Sequence, residues 1–588
     1  MRIIGMWGRA AGHLVRGIAR MRQPAPRRHH IARARFHRIH RMLLPSRRRF
    51  HPLTLATLVM ALLIAVPVLV VASAVLLPAG ETWRHLIDTV LAEYVFNTIW
   101  LLLGVAAGVL LLGVTTAWLV STYRFPGHAV MEWALVLPMA MPAYVIAYAY
   151  TDALQFAGPV QGWLRELTGW KARDYWFPDI RSMGGAIALF SLVLYPYVYL
   201  TARAAFLQQT QNTIEAARLL GHGTWSRLWR VVLPLARPGI VAGTALAMME
   251  TLADFGTVAY FAIPTFSTGI YRAWFSLGDK NAAAQLSACM LLFVAAILLM
   301  ERASRGRAQV YGNQRRAAAW TLGGTRGWLA LAACAVPVLL GFLVPALMLC
   351  RMAFTDGDAQ FGPRFVGLVR NSFLLASATA LAAVLVALAI GYAGRAANGR
   401  RGWLVRGLTR LCGMGYALPG SVIAVGVLVP VARFDNALSA WLQQQFGLSV
   451  GLLLTGGIAA LVYALLVRFL GVALQTVNAG LGKITPSMDA AARSLGHGPG
   501  ATLRRVHFPM LRGSLLTAAL IVFVDVMKEL PATFVMRPFN FDTLAVQAYN
   551  LAADERLTEA ATASLVIVAV GLLPVILLSR TIRREAQR

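Results

Sequence analysis

Charge is scarce in this sequence and unevenly placed. Of 588 residues only 13% are charged and 58% are hydrophobic, too apolar a balance for a soluble domain of this length. Acids are scarcest: 24 Asp and Glu stand against 55 Lys and Arg, a formal net charge of +31. Residues 1–50 contain no acid at all. There are four cysteines, Cys289, Cys334, Cys350 and Cys412, all in or at the ends of apolar runs and without CxxC spacing. They read as small core residues, not as a disulfide framework or a metal site. No GxxxxGK[ST] occurs, so the chain carries no P-loop. HExxH is also missing, and the single GxSxG, Gly447–Gly451, does not suggest membrane hydrolysis. No catalytic residue, cofactor or resident metal is therefore expected.

What remains is dominated by long apolar runs. About 20 residues cross a bilayer core, and runs of that length fall near 53–77, 97–121, 129–151, 184–207, 238–262 and 282–301. A second set falls near 327–350, 369–393, 408–432, 451–474, 513–535 and 559–579. The expected fold is all-α, a polytopic membrane protein of about twelve spans, six per half. The Arg- and His-rich residues 1–50 suit nucleic acid as a class of partner. Ahead of so many spans, an electrostatic anchor on an anionic leaflet is the better reading. The other Arg-rich connections, 302–326, 394–407 and 579–588, fall on the same side in a twelve-span count. The positive-inside rule puts that side, with both termini, in the cytoplasm.

One stretch recurs. Residues 215–240, EAARLLGHGTWSRLWRVVLPLARPGI, return at 490–515 as AAARSLGHGPGATLRRVHFPMLRGSL. Gly221 and Gly496 are 275 apart, and Ala216, Ala217, His222, Pro234 and Arg237 find identical partners at that offset. Asn212 and Glu215 fit a capping box, and Gly221 and Gly223 can end the helix they start. A second short helix is expected over 224–233, closed by Pro234 and Pro238. In the second copy Ser487 takes the cap place, Ala490 replaces the glutamate, and Asp489 is acidic one position early. The repeat extends outward: Asn97-Thr98 is answered by Asn371-Ser372, and Pro142–Ala147 by Pro419–Ala424. An even number of spans separates the copies, so the two six-helix repeats run parallel about an axis along the membrane normal.

After each recurring stretch come two acids four residues apart, Glu250 with Asp254 and Asp525 with Glu529, again at the 275 offset. Spacing of i, i+4 puts each pair on one helix face. Glu250 lies about 18 Å along the helix from Pro238, near mid-bilayer. Carboxylates at that depth face a cavity or a partner; Lys528 beside Glu529 offers a structural ion pair, and a translocation pathway is the other reading. Tyr144, Tyr148 and Tyr150 read as an aromatic packing stripe before a cation site.

The recurring stretch resembles the cytoplasmic EAA loop of ABC-transporter permeases, and two copies in one chain resemble the fused permeases. Lys528–Thr533 (KELPAT), Arg537–Thr543 (RPFNFDT) and Ala253–Thr257 look like the ferric-iron type. The resemblance implies a first permease repeat at 51–305, a linker at 306–326 and a second repeat at 327–588, after the tail of 1–50. It also implies docking of two ATP-binding subunits through Glu215, Ala216, Ala217, Gly221 and Pro234, and through Asp489, Ala491, Ala492, Gly496 and Pro509. A periplasmic binding protein would deliver the cargo, the chain would sit in a bacterial inner membrane, and no nucleic acid would be involved. Ferric iron is the implied cargo; thiamine or a phosphonate on the same architecture, or an ion-coupled secondary transporter, are the alternatives.

Overall fold

The computed structural model describes residues 52–586 apart from 79, 172–173, 209–218, 220, 222, 305–319, 355–360, 397–398 and 450. The basic tail and Glu215, Ala216 and Ala217 therefore lie outside the described residues. Ala56–Arg588 form one compact unit. Among the described residues there are 11 helices long and apolar enough to cross a membrane, or 12 if one sharply bent pair counts as a single span. Helix dominates because a chain in hydrocarbon must satisfy every backbone N–H and C=O internally. The described strands are two residues each, Tyr123–Arg124 paired in parallel with Trp320–Thr321.

The first repeat runs through α1 (Pro52–Ser73), α2 (Leu91–Thr122), α3 (His128–Ala134), α4 (Ala143–Leu154), α5 (Met183–Leu207), α6 (Leu233–Ala253), α7 (Gly256–Tyr260) and α8 (Lys280–Ser304). The second runs through α9 (Gly324–Val338), α10 (Val344–Phe354), α11 (Pro363–Ala396), α12 (Gly399–Cys412), α13 (Gly420–Phe446), α14 (Ala459–Leu481), α15 (Pro486–Ser494), α16 (Phe508–Met527), α17 (Pro531–Met536) and α18 (Leu557–Ala586). In the first repeat α2, α5 and α6 pack on one another, and α11, α14 and α16 repeat that trio. The repeats also exchange their ends. Helix α8 packs on α13, and α18 packs on the segment before α4, where a Cβ at Gly571 would lie 2.5 Å from the Ala140 carbonyl oxygen.

Three expectations change. The runs near 129–151 and 408–432 are not continuous helices. Helix α3 gives way to a 3-10 turn, Leu137–Ala140, and the chain restarts as α4 at a 91° bend; α12 is followed by Gly413–Ala417 and then α13. Pro142 and Pro419 are the residues that cap the restarted helices, both extended with ψ 143°. Proline lacks the N–H a helix interior needs, so it ends one helix and fits the start of the next.

The second correction concerns the fifth and eleventh spans. They begin at Leu228 and Gly500 and end at Ala253 and Met527, earlier than the apolar runs suggest. The separate short helix expected at 224–233 is instead the start of the span. Helical backbone continues from Thr224 through a π-helical turn, Leu228–Val232, into α6. The second copy does the same through Leu503–His507 into α16. A π turn widens the helix, so Pro234 and Pro509 follow it without breaking the backbone. Thirdly, Ser487 is not a cap: α15 begins at Pro486, and the Ser487 hydroxyl lies 2.7 Å from that of Thr485.

Candidate functional site: a carboxylate chamber between the repeats

The early ends of α6 and α16 put the acids where backbone turns away from the helix axis. Glu250 remains in the last turn of α6. Asp254 is its C-cap, with extended φ −71° and ψ 137°. Asp525 is helical, Lys528 caps α16, and Glu529 follows it. The i, i+4 pairs therefore do not share one regular helix face. All four nevertheless line one cavity of about 110 Å³ between the repeats.

The outer acid of each pair caps the short helix after it. Asp254 Oδ1 accepts the Thr257 N–H at 2.8 Å, and Glu529 Oε1 accepts the Ala532 N–H at 2.8 Å, so the 275 repeat carries a hydrogen bond as well as a residue. Glu529 Oε2 takes the N–H and hydroxyl of Thr533 at 3.0 and 2.7 Å. The recurring Asn-Thr and Asn-Ser pairs hold the segments beyond. Asn97 Nδ2 donates to the Pro264 carbonyl at 3.0 Å, and Asn371 Nδ2 to that of Asp542 at 3.1 Å. Ser372 Oγ accepts the Leu544 N–H at 2.8 Å.

Two cations complete the chamber. Lys528 Nζ lies 3.0 Å from Asp525 Oδ1, and Arg468 Nη1 lies 2.9 Å from Glu529 Oε1. The ion pair expected of Lys528 thus exists, but with Asp525, one turn back, and not with its neighbour Glu529. Arg468 was missed in the sequence. Its signal was there, since an arginine inside the apolar run 451–474 requires a buried partner. Gly420 makes room for it: a Cβ there would stand 2.3 Å from Arg468 Nη1 and 2.8 Å from Glu529 Oε1. Glu250 and Asp254 have no ion pair among the described residues. No group of three or more His, Cys, Asp or Glu among the described residues is placed to hold a metal ion.

A larger cavity, about 470 Å³, adjoins the chamber. Met139, Tyr197, Tyr416, Asp525 and Lys528 line both. The larger one continues past Val524, Ile521 and Thr517, toward the end of α16 from which the recurring loop enters. Aromatic rings pack on the short segments that follow the acids. Phe255 stacks on Tyr271 at 3.6 Å, Phe534 and Tyr549 pack against Phe255, and the Tyr271 hydroxyl donates to the Pro531 carbonyl. Tyr144 and Tyr148 join this packing, 5.8 Å apart and buried, and the Tyr150 hydroxyl donates to the Leu340 carbonyl at 2.7 Å.

Of the loop residues, Gly221 and Gly496 are exposed in left-handed turns with φ of +81° and +78°. Nothing lies within 4 Å of a Cβ at either, so backbone conformation and not space selects glycine there. Pro234, Pro509 and Ala491 are exposed, and Ala492 is buried. Asp489 is bound to the span bundle. Its Oδ2 accepts Arg395 Nε and Nη2 at 3.1 and 2.6 Å, and its Oδ1 lies 2.7 Å from His507 Nε2. Burial pushes this carboxyl up, but the Arg395 and His507 contacts outweigh it and hold the group below the usual carboxylate range.

The comparisons agree with this layout. A family model described as binding-protein-dependent transport system inner membrane component matches twice, at residues 109–305 and 383–586. An Fe(3+)-transport system permease protein of Haemophilus influenzae is 25% identical over 83% of this chain and 90% of its own length. A probable ABC transporter permease of Sinorhizobium fredii is 24% identical over 77% of this chain and 80% of its own. The molybdenum transport system permease protein of Escherichia coli K12 is 30% identical over 33% of this chain and 87% of its own length.

Proposed function

The chain belongs to the family of binding-protein-dependent transport system inner membrane components, as two fused copies, and from that premise we propose that it is the membrane permease of an ABC importer whose cargo is a multivalent cation, ferric iron first. A separate ATPase supplies the energy, and a periplasmic binding protein supplies the cargo. The observation that carries the cation reading is the chamber itself: four carboxylates against two cations. An excess of fixed negative charge attracts a hard, highly charged cation and repels an oxyanion such as a phosphonate. Carboxylates spread along a route bind weakly enough to release what they attract. The name of the Haemophilus relative supports iron within that class.

The Arg-rich connections favour a cytoplasmic position for both termini and both recurring loops. Docking of one ATPase subunit at each loop places the motion of that subunit at the root of α6 or α16, helices that end at the acids.

The test is to change Glu250 to Gln and Asp525 to Asn, singly and together, in the complete importer. ATP-driven uptake of ferric iron should fall at least tenfold in the double variant, while protein level and ATPase retention persist. Normal uptake in that variant would falsify the pathway role. Docking is tested separately by bulky replacements at Gly221 and Gly496, which should release the ATPase from membranes; full retention in the double variant removes the docking role.

A further inference from the structure

The two cations of the chamber have no counterpart in the first repeat. At the 275 offset Lys528 aligns with Ala253 and Arg468 with Val193. They are also unlike each other. The Arg468 pair is buried, with side-chain exposures of 9% and 2%, and Glu529 is further fixed by Ala532 and Thr533. The Lys528 pair is more open, at 31% and 15%, and stands in the wall shared by the two cavities with Tyr197 and Tyr416. Lys528 is one of the five residues that line both cavities.

Resting on the cation reading above, we propose that Lys528 is a tethered resident cation that occupies the Asp525 end of the route and makes the chamber a valence filter, closed to monovalent ions and open to multivalent ones. The ammonium sits one helical turn from Asp525 on the same chain, so its effective concentration at that carboxylate is at least millimolar. A free monovalent ion gains little by replacing it, since one unit charge takes the place of another. A multivalent ion interacts with Asp525, Glu250 and Asp254 together, and Coulomb attraction grows with the product of the charges. It can displace the ammonium toward the larger cavity. Arg468 keeps Glu529 out of this exchange, which leaves three carboxylates and one mobile counter-ion.

The experiment uses the permease–ATPase complex with two probes, rubidium ion for leak and terbium ion for binding. Terbium luminescence is sensitised by nearby tyrosines, and Tyr144, Tyr197 and Tyr416 line the chamber. Lys528→Gln should raise ATP-independent rubidium efflux from liposomes about tenfold and tighten terbium binding about tenfold. Lys528→Arg should restore wild-type values of both. No change in either probe in Lys528→Gln overturns the filter. If that variant does not assemble, the wild-type complex decides: potassium and choline at equal ionic strength should reduce terbium binding equally, and stronger competition by potassium overturns the proposal. Glu250→Gln separates the two readings. If it leaves terbium binding unchanged, the cation chamber fails; if binding depends on Glu250 but not on Lys528, the filter alone fails.

Discussion

In the first repeat Glu250 and Asp254 face the chamber without an ion pair among the described residues; in the second, Asp525 and Glu529 each hold a cation. The capping bonds of Asp254 and Glu529 are matched atom for atom in length, so the backbone frame is symmetric while its charge is not. A second difference lies at the recurring loops. Copy two binds Asp489 to Arg395 and His507. The residues at the 275 offset from Asp489 and His507 are Ile214 and Val232, which offer no such contact. Among the described residues the two halves thus share the capping frame beside the chamber, while the acids of the second carry ion pairs that Glu250 and Asp254 lack.

The largest break in the comparison should come from the buried pair. Arg468→Met leaves Glu529 buried without its cation and should cost about 3–5 kcal/mol, whereas Glu250→Gln should change stability by about 0.5 kcal/mol or less. Thermal unfolding of the purified protein in detergent reads both. Equal losses would show the two repeats to be electrostatically alike.

Gly420→Ala should cost about 1–3 kcal/mol by crowding Arg468. The first repeat already has Ala143 after its matching proline, so Ala143→Gly should be mild by comparison.

Asp489→Asn should loosen α15 by about 1.5 kcal/mol, read as faster amide hydrogen exchange over Pro486–Ser494. Because the carboxyl is held below its ordinary value in the folded loop, its contribution is present above about pH 4 and fades as pH falls through the lowered folded value. Exchange over Pro486–Ser494 in the wild type should therefore be flat across neutral pH, after correction for intrinsic rates, and rise only in acid.

A smaller effect than these, and a symmetric one, is expected from Gly221→Ala and Gly496→Ala, about 1 kcal/mol each for a side chain forced to positive φ. A clear inequality would reveal a contact special to one loop.

The spans and the four acids were legible because lipid imposes long apolar runs and makes any carboxylate within them conspicuous. The 275 offset then paired the acids without knowledge of any contact. Helix ends were less legible. Apolarity does not mark where α6 and α16 stop, because the segments beyond them are equally apolar, with Val258 and Phe261 buried in protein. Asp435 shows why a buried acid alone does not reveal its role: it lies in α13, fully buried, with its oxygens taken by the N–H groups of Leu453, Leu454 and Thr455. In the sequence it lies beyond the apolar run 408–432, between Phe434 and Asn436, with Val160 at the 275 offset, so nothing marked it as buried. Arg468 was hidden differently, as a single charge whose partner is 61 residues away.

The π turns at Leu228–Val232 and Leu503–His507 have a consequence for phase. Such a turn holds about one residue more than an α-helical turn, and one residue of α-helix corresponds to about 100° of rotation and 1.5 Å of rise. A π turn winds less per residue, so the surplus residue is taken up within the turn and the azimuth at which Glu250 and Asp525 meet the chamber is kept relative to each loop. Deleting one residue from either turn would leave a helix of ordinary pitch at nearly the same azimuth, whereas deleting one from the regular α-helix beyond it would swing the loop about a quarter of the way around the axis from the acids.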